Sequence, residues 1–254
     1  MLPTEIGDAA QNGDRDRVMA WLNAGGSIND VDGDGYTLLN CCASGDLQTS
    51  HPGALAIGDG QVALARDLIA LGADVNIAGE AKTGGLTALH EVARKHRDGQ
   101  AVLEMLSLLL GAGANLNTRD RSGDTPLYHA LWHAPRHSLR MVTELLRAGA
   151  SLDVSHGDYA PSKTAEDVLQ RRESYTPNLA EDEDWVAAKR LVAGVRQHGS
   201  YKRYARSFHR DVLVCRGLAQ RGKLRTDDPV LKFLARLGDN GVCWHILSFW
   251  RATN

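Results

Sequence analysis

The length, composition and charge of the chain are those of a globular protein with a substantial core. It has 254 residues, 43% of them hydrophobic and 24% charged, with a formal net charge of −2, which suits one large domain or two small ones. No window approaches the ~18 consecutive apolar residues of a membrane helix, and the N-terminal residues lack the apolar segment of a signal peptide, so we expect neither.

Two short strings alternate along the first 199 residues. The first has an apolar pair, a glycine, a small residue and a later Asn or Asp, and its copies are "WLNAGGSIND" (21–30), "LIALGADVNI" (68–77), "LLGAGANLNT" (109–118) and "LLRAGASLDV" (145–154). The second follows each of these, as "YTLLNCCA" (36–43), "LTALHEVA" (86–93), "DTPLYHAL" (124–131) and "KTAEDVLQ" (163–170), with an earlier copy in "TEIGDAA" (4–10). Such alternation indicates a repeat protein.

Each repeat is predicted to form two short antiparallel helices, because apolar residues recur at helical spacing in both strings. A glycine suited to a left-handed C-cap follows each second helix, at Gly25, Gly72, Gly113 and Gly149. One helix pair can bury its apolar face only against its neighbours. The predicted fold is therefore an all-α, quasi-linear solenoid.

The two strings resemble the ankyrin repeat, with its T-P-L-H-x-A-A box and its later L-L-x-x-G-A. The box is almost intact in "DTPLYHAL" and "LTALHEVA", and the resemblance covers residues 1 to about 199. It implies about five helix pairs joined by short β-hairpins, followed by a separate C-terminal helical module over residues 200–254. It also implies a non-catalytic scaffold or adaptor that binds another protein.

The last repeat and the turns between helices depart from the family pattern. Repeat five has Glu166 at the position of the box leucine, and residues 174–184 separate its helices, which favours a degenerate cap. Extra residues lie between the helices of repeats two, three and four, at 46–60, 97–100 and 135–137. We expect the longest of these insertions, 46–60, to be a surface loop.

The segment "NDVDGDGYT" (29–37) resembles the opening of a calcium-binding EF-hand loop. The bidentate acid that such a loop needs at its twelfth position is replaced by Cys41. The segment occupies the same slot as "NTRDRSGDT" (117–125), so that Asp32 matches Asp120 and Gly35 matches Gly123. The position therefore predicts a β-hairpin between repeats.

The histidines give no pattern of a catalytic or metal site. His90 and His96 are six residues apart, whereas a zincin helix needs a spacing of four. His129, His133 and His137 are spaced by four, but Pro135 should end the helix before the third, so we expect a solvated surface. We therefore predict no enzyme, no metal and no cofactor.

The resemblance implies a recognition surface made of the hairpin tips and the exposed ends of the first helices, which form the concave face in ankyrin proteins. Tyr, Trp and Arg, which dominate interface energetics, occur among these positions. By position in the repeats, the candidate partner-binding residues are Asp34, Tyr36, Arg94, Lys95, Arg121, Asp124, Trp132 and His133. We expect the partner to be another protein, and the chain itself to be a monomer with no membrane contact.

The C-terminal residues leave three interpretations open. They could form a helical cap on the last repeat. Alternatively, "RLGDNGVCWHILSFW" (236–250) is similar to the opening of an F-box and "VLVCRGLAQRGKL" (212–224) to the core of a SOCS box, which would imply a substrate receptor docking to a ubiquitin-ligase adaptor. Third, the segment 189–225 carries eleven basic residues and one acid, Asp211, which could bind nucleic acid.

The four cysteines favour a reducing compartment. Cys41, Cys42, Cys215 and Cys243 show no CxxC spacing, and two adjacent cysteines cannot easily share a disulfide. We expect reduced, mostly buried thiols in a cytosolic or nuclear protein.

Overall fold

The computed structural model describes residues 1–45, 57–79, 84–95, 99–133, 138–155 and 163–207. The helices and strands of these ranges are α1 (Thr4–Gln11), α2 (Arg15–Asn23), α3 (Leu38–Ser44), α4 (Asp59–Ala70), α5 (Ala88–Ala93), α6 (Gln100–Gly111), α7 (Pro126–His133), α8 (Ser138–Ala148), β1 (Asp153–Ser155), β2 (Lys163–Thr164), α9 (Ala165–Tyr175) and α10 (Glu183–His198). A 3₁₀ helix, Pro177–Glu181, lies between α9 and α10.

The helices form a stack of pairs, which confirms the predicted all-α repeat architecture. The first helices contact one another in series, α1 with α3, α3 with α5, α5 with α7, and α7 with α9. Within each of the first four repeats the first helix also contacts the second, and α4 contacts α6 in the second row. Each pair therefore buries its apolar face against its neighbours, as expected for a solenoid.

The sequence boxes act as local start and stop signals for the helices. Thr37 caps α3 by accepting a hydrogen bond from the Asn40 N–H (3.2 Å). Thr164 does the same for α9, and the Asp167 carboxylate accepts a bond in return from the Thr164 N–H (2.9 Å), a reciprocal capping box. The glycines predicted to end the second helices have positive φ, which confirms their C-cap role, at Gly25, Gly72, Gly113 and Gly149.

The recurring asparagine of the first string joins each repeat to the next. The side-chain oxygen of Asn29 accepts the Asp74 N–H (2.9 Å), and that of Asn76 accepts the Asn115 N–H (2.8 Å). Asn117 continues the series by accepting the Ser151 N–H (2.9 Å). These bonds set the register between adjacent repeats.

The core consists mainly of leucine, valine and alanine on the facing sides of the helices. Leu38, Leu64, Leu89 and Leu127 are fully buried or nearly so, and Cys41 and Cys42 are buried free thiols. The prediction of reduced, buried cysteines is confirmed for these two. Cys215 and Cys243 lie outside the described residues.

The predicted insertions fall largely outside the described residues, which omit 46–56, 96–98 and 134–137. The end of the range 46–60 is described: Ile57 is buried, and α4 begins at Asp59, so its last two residues are helical rather than loop. The helix begins there because the Gln61 side chain accepts the N–H of the N-cap residue Gly58 (3.0 Å).

The chain divides into two compact units, Met1–Val192 and Ala193–Asn254. In the second unit residues 201–207 are helical, and the ring of Tyr204 packs closely on Gly194, near His198. The predicted boundary between residues 199 and 200 stays a prediction. Both strings that resemble ligase-docking boxes lie in 208–254, outside the described residues. Among the described residues, no helix combines the length and apolar character needed to cross a bilayer.

Candidate protein-interaction surface

The segment that resembles a calcium loop is a hairpin built around Asp32. Its carboxylate oxygen Oδ1 accepts two backbone hydrogen bonds, from the N–H groups of Asp34 and Tyr36 (both 2.9 Å). Val31 and Thr37 pair as an antiparallel bridge, and Gly35 has φ +82°, a conformation that costs glycine little. The hairpin prediction is confirmed. Within the described ranges, no group of three or more His, Cys, Asp or Glu residues is arranged to hold a metal ion.

The hairpin before repeat four repeats this geometry around Asp120. Oδ1 of Asp120 accepts the N–H groups of Ser122 (2.8 Å) and Asp124 (2.9 Å), and Gly123 has φ +79°. The other carboxylate oxygen, Oδ2, lies 2.8 Å from Nε2 of His129 on α7. Burial would raise the pKa of Asp120, but the hydrogen bonds from His129 and Asp124 outweigh it and the pKa lies below its ordinary value.

His90 connects repeat three to the same hairpin. Its Nδ1 accepts the Thr87 N–H (3.2 Å) and lies 2.8 Å from the Thr87 hydroxyl. With Nδ1 as acceptor, Nε2 carries the proton and donates to the Asp124 carbonyl oxygen (3.2 Å). Burial, and next the charge of His129, lower the pKa of His90 to about 4, so the ring is neutral near pH 7.

The prediction of a solvated surface at the spaced histidines was wrong for His129. We expected His129 to be solvated, but it is buried, with its ring stacked on that of His133 at 5.3 Å and edge-on to His90 at 5.5 Å. The expectation was wrong because α7 turns His129 towards the hairpin that opens its own repeat, where the Asp120 carboxylate accepts a hydrogen bond from Nε2. α7 ends at His133, and His137 lies outside the described residues.

A second polar group links repeats two and three. The Tyr36 hydroxyl donates to the buried Glu91 carboxylate (2.9 Å), and Arg94 pairs with the same carboxylate at 3.5 Å. Burial, followed by the charge of Glu91, raises the pKa of Tyr36, which therefore stays protonated as a donor. Lys95 is only 9% exposed and its ammonium donates to the Ser44 carbonyl oxygen. Burial lowers the pKa of Lys95 to about 8.

Aromatic rings line the first helices of repeats four and five. Trp132 stacks on Tyr128 one helical turn earlier, with ring centroids 6.0 Å apart, and meets the ring of Tyr175 edge-on at 5.9 Å. The guanidinium of Arg172 lies over the Trp132 ring at 5.4 Å. Trp132 is half-buried by these contacts, whereas Tyr175 is 63% exposed.

The sequence-predicted partner-binding residues are found in three environments. Asp34, Arg94 and Arg121 are exposed; Tyr36, Asp124, Trp132 and His133 are half-buried. Lys95 is buried against repeat two, so its ammonium is committed within the chain. Their role in binding stays a prediction.

Sequence reasoning missed three basic residues of repeat five at equivalent positions. Lys163 precedes the capping threonine Thr164, as Asp124 precedes Thr125. Arg171 and Arg172 follow Thr164 by seven and eight residues, the same offsets that separate Trp132 and His133 from Thr125. This offset is the signal in the sequence that marks them, although Glu166 in place of the box leucine gives repeat five the character of a cap.

The comparison with protein families agrees with this geometry. Residues 54–156 match the model described as ankyrin repeats, in 3 copies, and the same helix pairs extend on both sides of that range, from α1 to α9. No curated protein matches the chain. The sequence-based recognition of ankyrin repeats is confirmed.

Proposed function

We propose that this ankyrin-repeat chain is a non-catalytic scaffold or adaptor that binds another protein through its hairpin tips and first helices. The observation that carries the proposal is the placement of exposed or half-buried Tyr, Trp and Arg side chains on successive repeats. These residue types dominate the energetics of protein interfaces. Ankyrin repeats are typically interaction modules without catalytic activity, which supports the same reading.

The internal contacts of these residues support binding because they hold the side chains in place before a partner arrives. Tyr36 and Arg94 are tied to Glu91, and Trp132 is stacked on Tyr128. A side chain that is already ordered loses less conformational entropy when it forms an interface. We also propose a cytosolic or nuclear location, which the buried free thiols Cys41 and Cys42 support.

The test compares two triple variants in affinity pull-downs. We expect the variant Tyr36→Ala, Arg94→Ala, Trp132→Ala to lose the proteins that the natural chain recovers, because hot-spot truncations cost ~2 kcal/mol or more each. The control, Arg17→Ala, Leu71→Ala, Arg140→Ala, changes exposed residues of the second-helix side and should retain them. Equal recovery by both variants would contradict the proposed surface.

A second variant separates binding from folding. The first triple variant also removes two contacts to Glu91, so its fold is checked by circular dichroism and thermal melting. Arg121→Ala alone changes one exposed hairpin side chain, and it should weaken partner recovery without lowering the melting temperature. Full recovery by Arg121→Ala, together with unfolding of the triple variant, would also contradict the proposal.

A further inference from the structure

Repeats four and five carry a cluster of three aromatic rings and three cations, here named the basic–aromatic patch. Each cation lies near one ring: Lys163 Nζ is 5.9 Å from the centroid of Tyr128, and the guanidinium of Arg171 is 6.0 Å from that of Tyr175. The patch consists of Tyr128 and Trp132 on α7, Lys163 on β2, and Arg171, Arg172 and Tyr175 on α9.

The charges of the patch are not neutralised in the way seen elsewhere in the same unit. Arg15 pairs with Asp67 at 2.5 Å and Lys189 pairs with Glu173 at 2.6 Å. In the part of the chain that the structure describes, no such carboxylate lies within 4.0 Å of the Lys163, Arg171 or Arg172 side chain. Among the described residues, their positive charge is therefore without a close carboxylate partner.

Carboxylates also lie near the patch, at Asp120, Asp124 and Asp167, and two of these are engaged elsewhere in the chain. Asp167 is used as a cap, since its carboxylate accepts both the N–H and the hydroxyl of Thr164 (2.9 Å each). Burial is the main cause of the raised pKa of Tyr128. The charge of Asp124 raises this pKa further, whereas the charge of Arg171 lowers it. The Asp120 carboxylate is engaged with the N–H groups of its own hairpin and with His129.

Arg172 is held by packing rather than by an acceptor. Its Nε is buried and has no hydrogen-bond partner among the described residues, while its guanidinium covers the Trp132 ring. A guanidinium fixed on a ring keeps its outer N–H groups oriented, so that less entropy is lost when they bind an anion.

We propose that the basic–aromatic patch binds an acidic segment of a partner protein, one with carboxylates next to an aromatic or apolar residue. The inference rests on the proposed function and names the chemistry of the partner. Arginine forks bind carboxylates through paired charge-assisted hydrogen bonds, and the exposed ring of Tyr175 offers apolar contact beside them. Complementary charge also steers association and selects the partner.

Nucleic acid is the competing anion, and the ring geometry disfavours it. Bases bind single-strand proteins by stacking on open aromatic faces. Trp132 is stacked on Tyr128 and covered by Arg172, so its ring is engaged within the chain. The patch therefore offers charge and an apolar edge rather than a series of stacking platforms.

The experiment is a selection of short peptides from a random library on the full chain, followed by fluorescence anisotropy of the enriched peptides. We expect the enriched peptides to be acidic, each with at least one apolar or aromatic residue. Replacing their Glu and Asp by Gln and Asn should weaken binding by about tenfold or more. Enrichment of neutral or basic peptides would overturn the proposal.

Matched charge variants locate the site. A triple variant of the patch should bind the acidic peptides about tenfold or more weakly. It carries Lys163→Gln, Arg171→Gln and Arg172→Gln, and thermal melting confirms that it is folded. The control Arg17→Gln, Arg140→Gln, Arg190→Gln removes the same charge from exposed positions of second helices and should change affinity less than about twofold. Equal loss in the two variants would overturn the proposal.

Two further readings distinguish the ways in which the proposal could fail. The first uses a labelled single-stranded oligonucleotide. If it binds the natural chain more tightly than the peptides do, and the patch variant no longer binds it, the ligand of the patch is nucleic acid and not an acidic segment. The second combines the pull-downs with the peptide selection. Suppose that the variant of Tyr36, Arg94 and Trp132 loses the bound proteins, that the patch variant recovers them fully, and that no acidic peptide is enriched. The proposed interaction surface is then supported and the acidic partner is rejected.

Discussion

The hairpins around Asp32 and Asp120 have the same backbone bonds but different surroundings. In both, the aspartate accepts the N–H groups two and four residues ahead, and a glycine with positive φ follows at the third position. The turn is therefore specified by residues within the hairpin itself. Both turns share an Asp and, three residues later, a Gly, which are residue types that favour such turns.

The side chains of the neighbouring helices contact the two hairpins differently. The Asp120 hairpin is held by His129 from its own repeat and by His90 from the preceding one. At the equivalent positions, the Asp32 hairpin has Cys41 and Gly7, and a Cβ added to Gly7 would lie 3.6 Å from the Asp32 carboxylate. The comparison teaches that the turn is local, whereas its attachment to the stack depends on side chains from two repeats.

The largest expected effect is a pH dependence from His90, which contacts the Asp120 hairpin and has no counterpart at the Asp32 hairpin. Because the pKa of His90 is about 4 in the folded chain against 6.5 ordinarily, the unfolded chain binds more protons between those values. The contribution of neutral His90 to the free energy of unfolding is complete above pH 6.5. It falls as the pH decreases towards 4, by up to about 3 kcal/mol. Urea unfolding at a series of pH values measures the loss.

Two histidine variants test this assignment. His90→Gln should be less stable at pH 7 but should lose less between pH 6.5 and 4 than the natural chain. His198→Gln, a half-buried histidine of the second unit, should retain the full loss. The assignment to His90 fails if His90→Gln keeps the same pH dependence.

The next effect is a difference between the two aspartates. Asp120→Ala leaves the N–H groups of Ser122 and Asp124 and the His129 ring without their acceptor, so we expect a loss of about 2 to 3 kcal/mol. Asp32→Ala removes the same two backbone acceptor bonds but no histidine contact, and we expect about 1 kcal/mol. Free energies of unfolding in urea give both values.

Asparagine variants serve as the control for this pair. Asp120→Asn and Asp32→Asn keep a side-chain oxygen for the hairpin N–H groups and remove the charge. The free energy of unfolding of Asp120→Asn should therefore lie between those of Asp120→Ala and the natural chain. Equal losses for Asp120→Ala and Asp32→Ala would show that the histidine contacts add nothing to the hairpin.

The smallest effect is one that should be equal in both hairpins. Gly35→Ala and Gly123→Ala each force an alanine into positive φ, at +82° and +79°, which costs roughly 1 to 2 kcal/mol. Gly33→Ala lies in the first hairpin without positive φ and with open space around its Cβ, so it should change stability by less than about 0.5 kcal/mol. Thermal melting compares the three variants, and clearly unequal losses for Gly35 and Gly123 would show that the turns are not equivalent.

The sequence by itself determined the repeat architecture, because its signals act over a few residues. Threonine caps, glycine stops and the Asp–Gly hairpins depend on hydrogen bonds between residues two to four apart, and the strings place such caps at Thr37 and Thr164. Periodic apolar positions then leave each helix pair dependent on its neighbours. The fold class follows from these local rules together.

Only the tertiary structure decided which surface side chains are available to a partner. Lys95 looks exposed from its place in the repeat, yet it is buried against Ser44 of the previous repeat, 51 positions earlier. His129 is buried by its contact with Asp120, and Arg172 meets Trp132 only because α9 packs beside α7. These contacts join repeats whose side chains vary independently, so the spacing within one repeat cannot specify them.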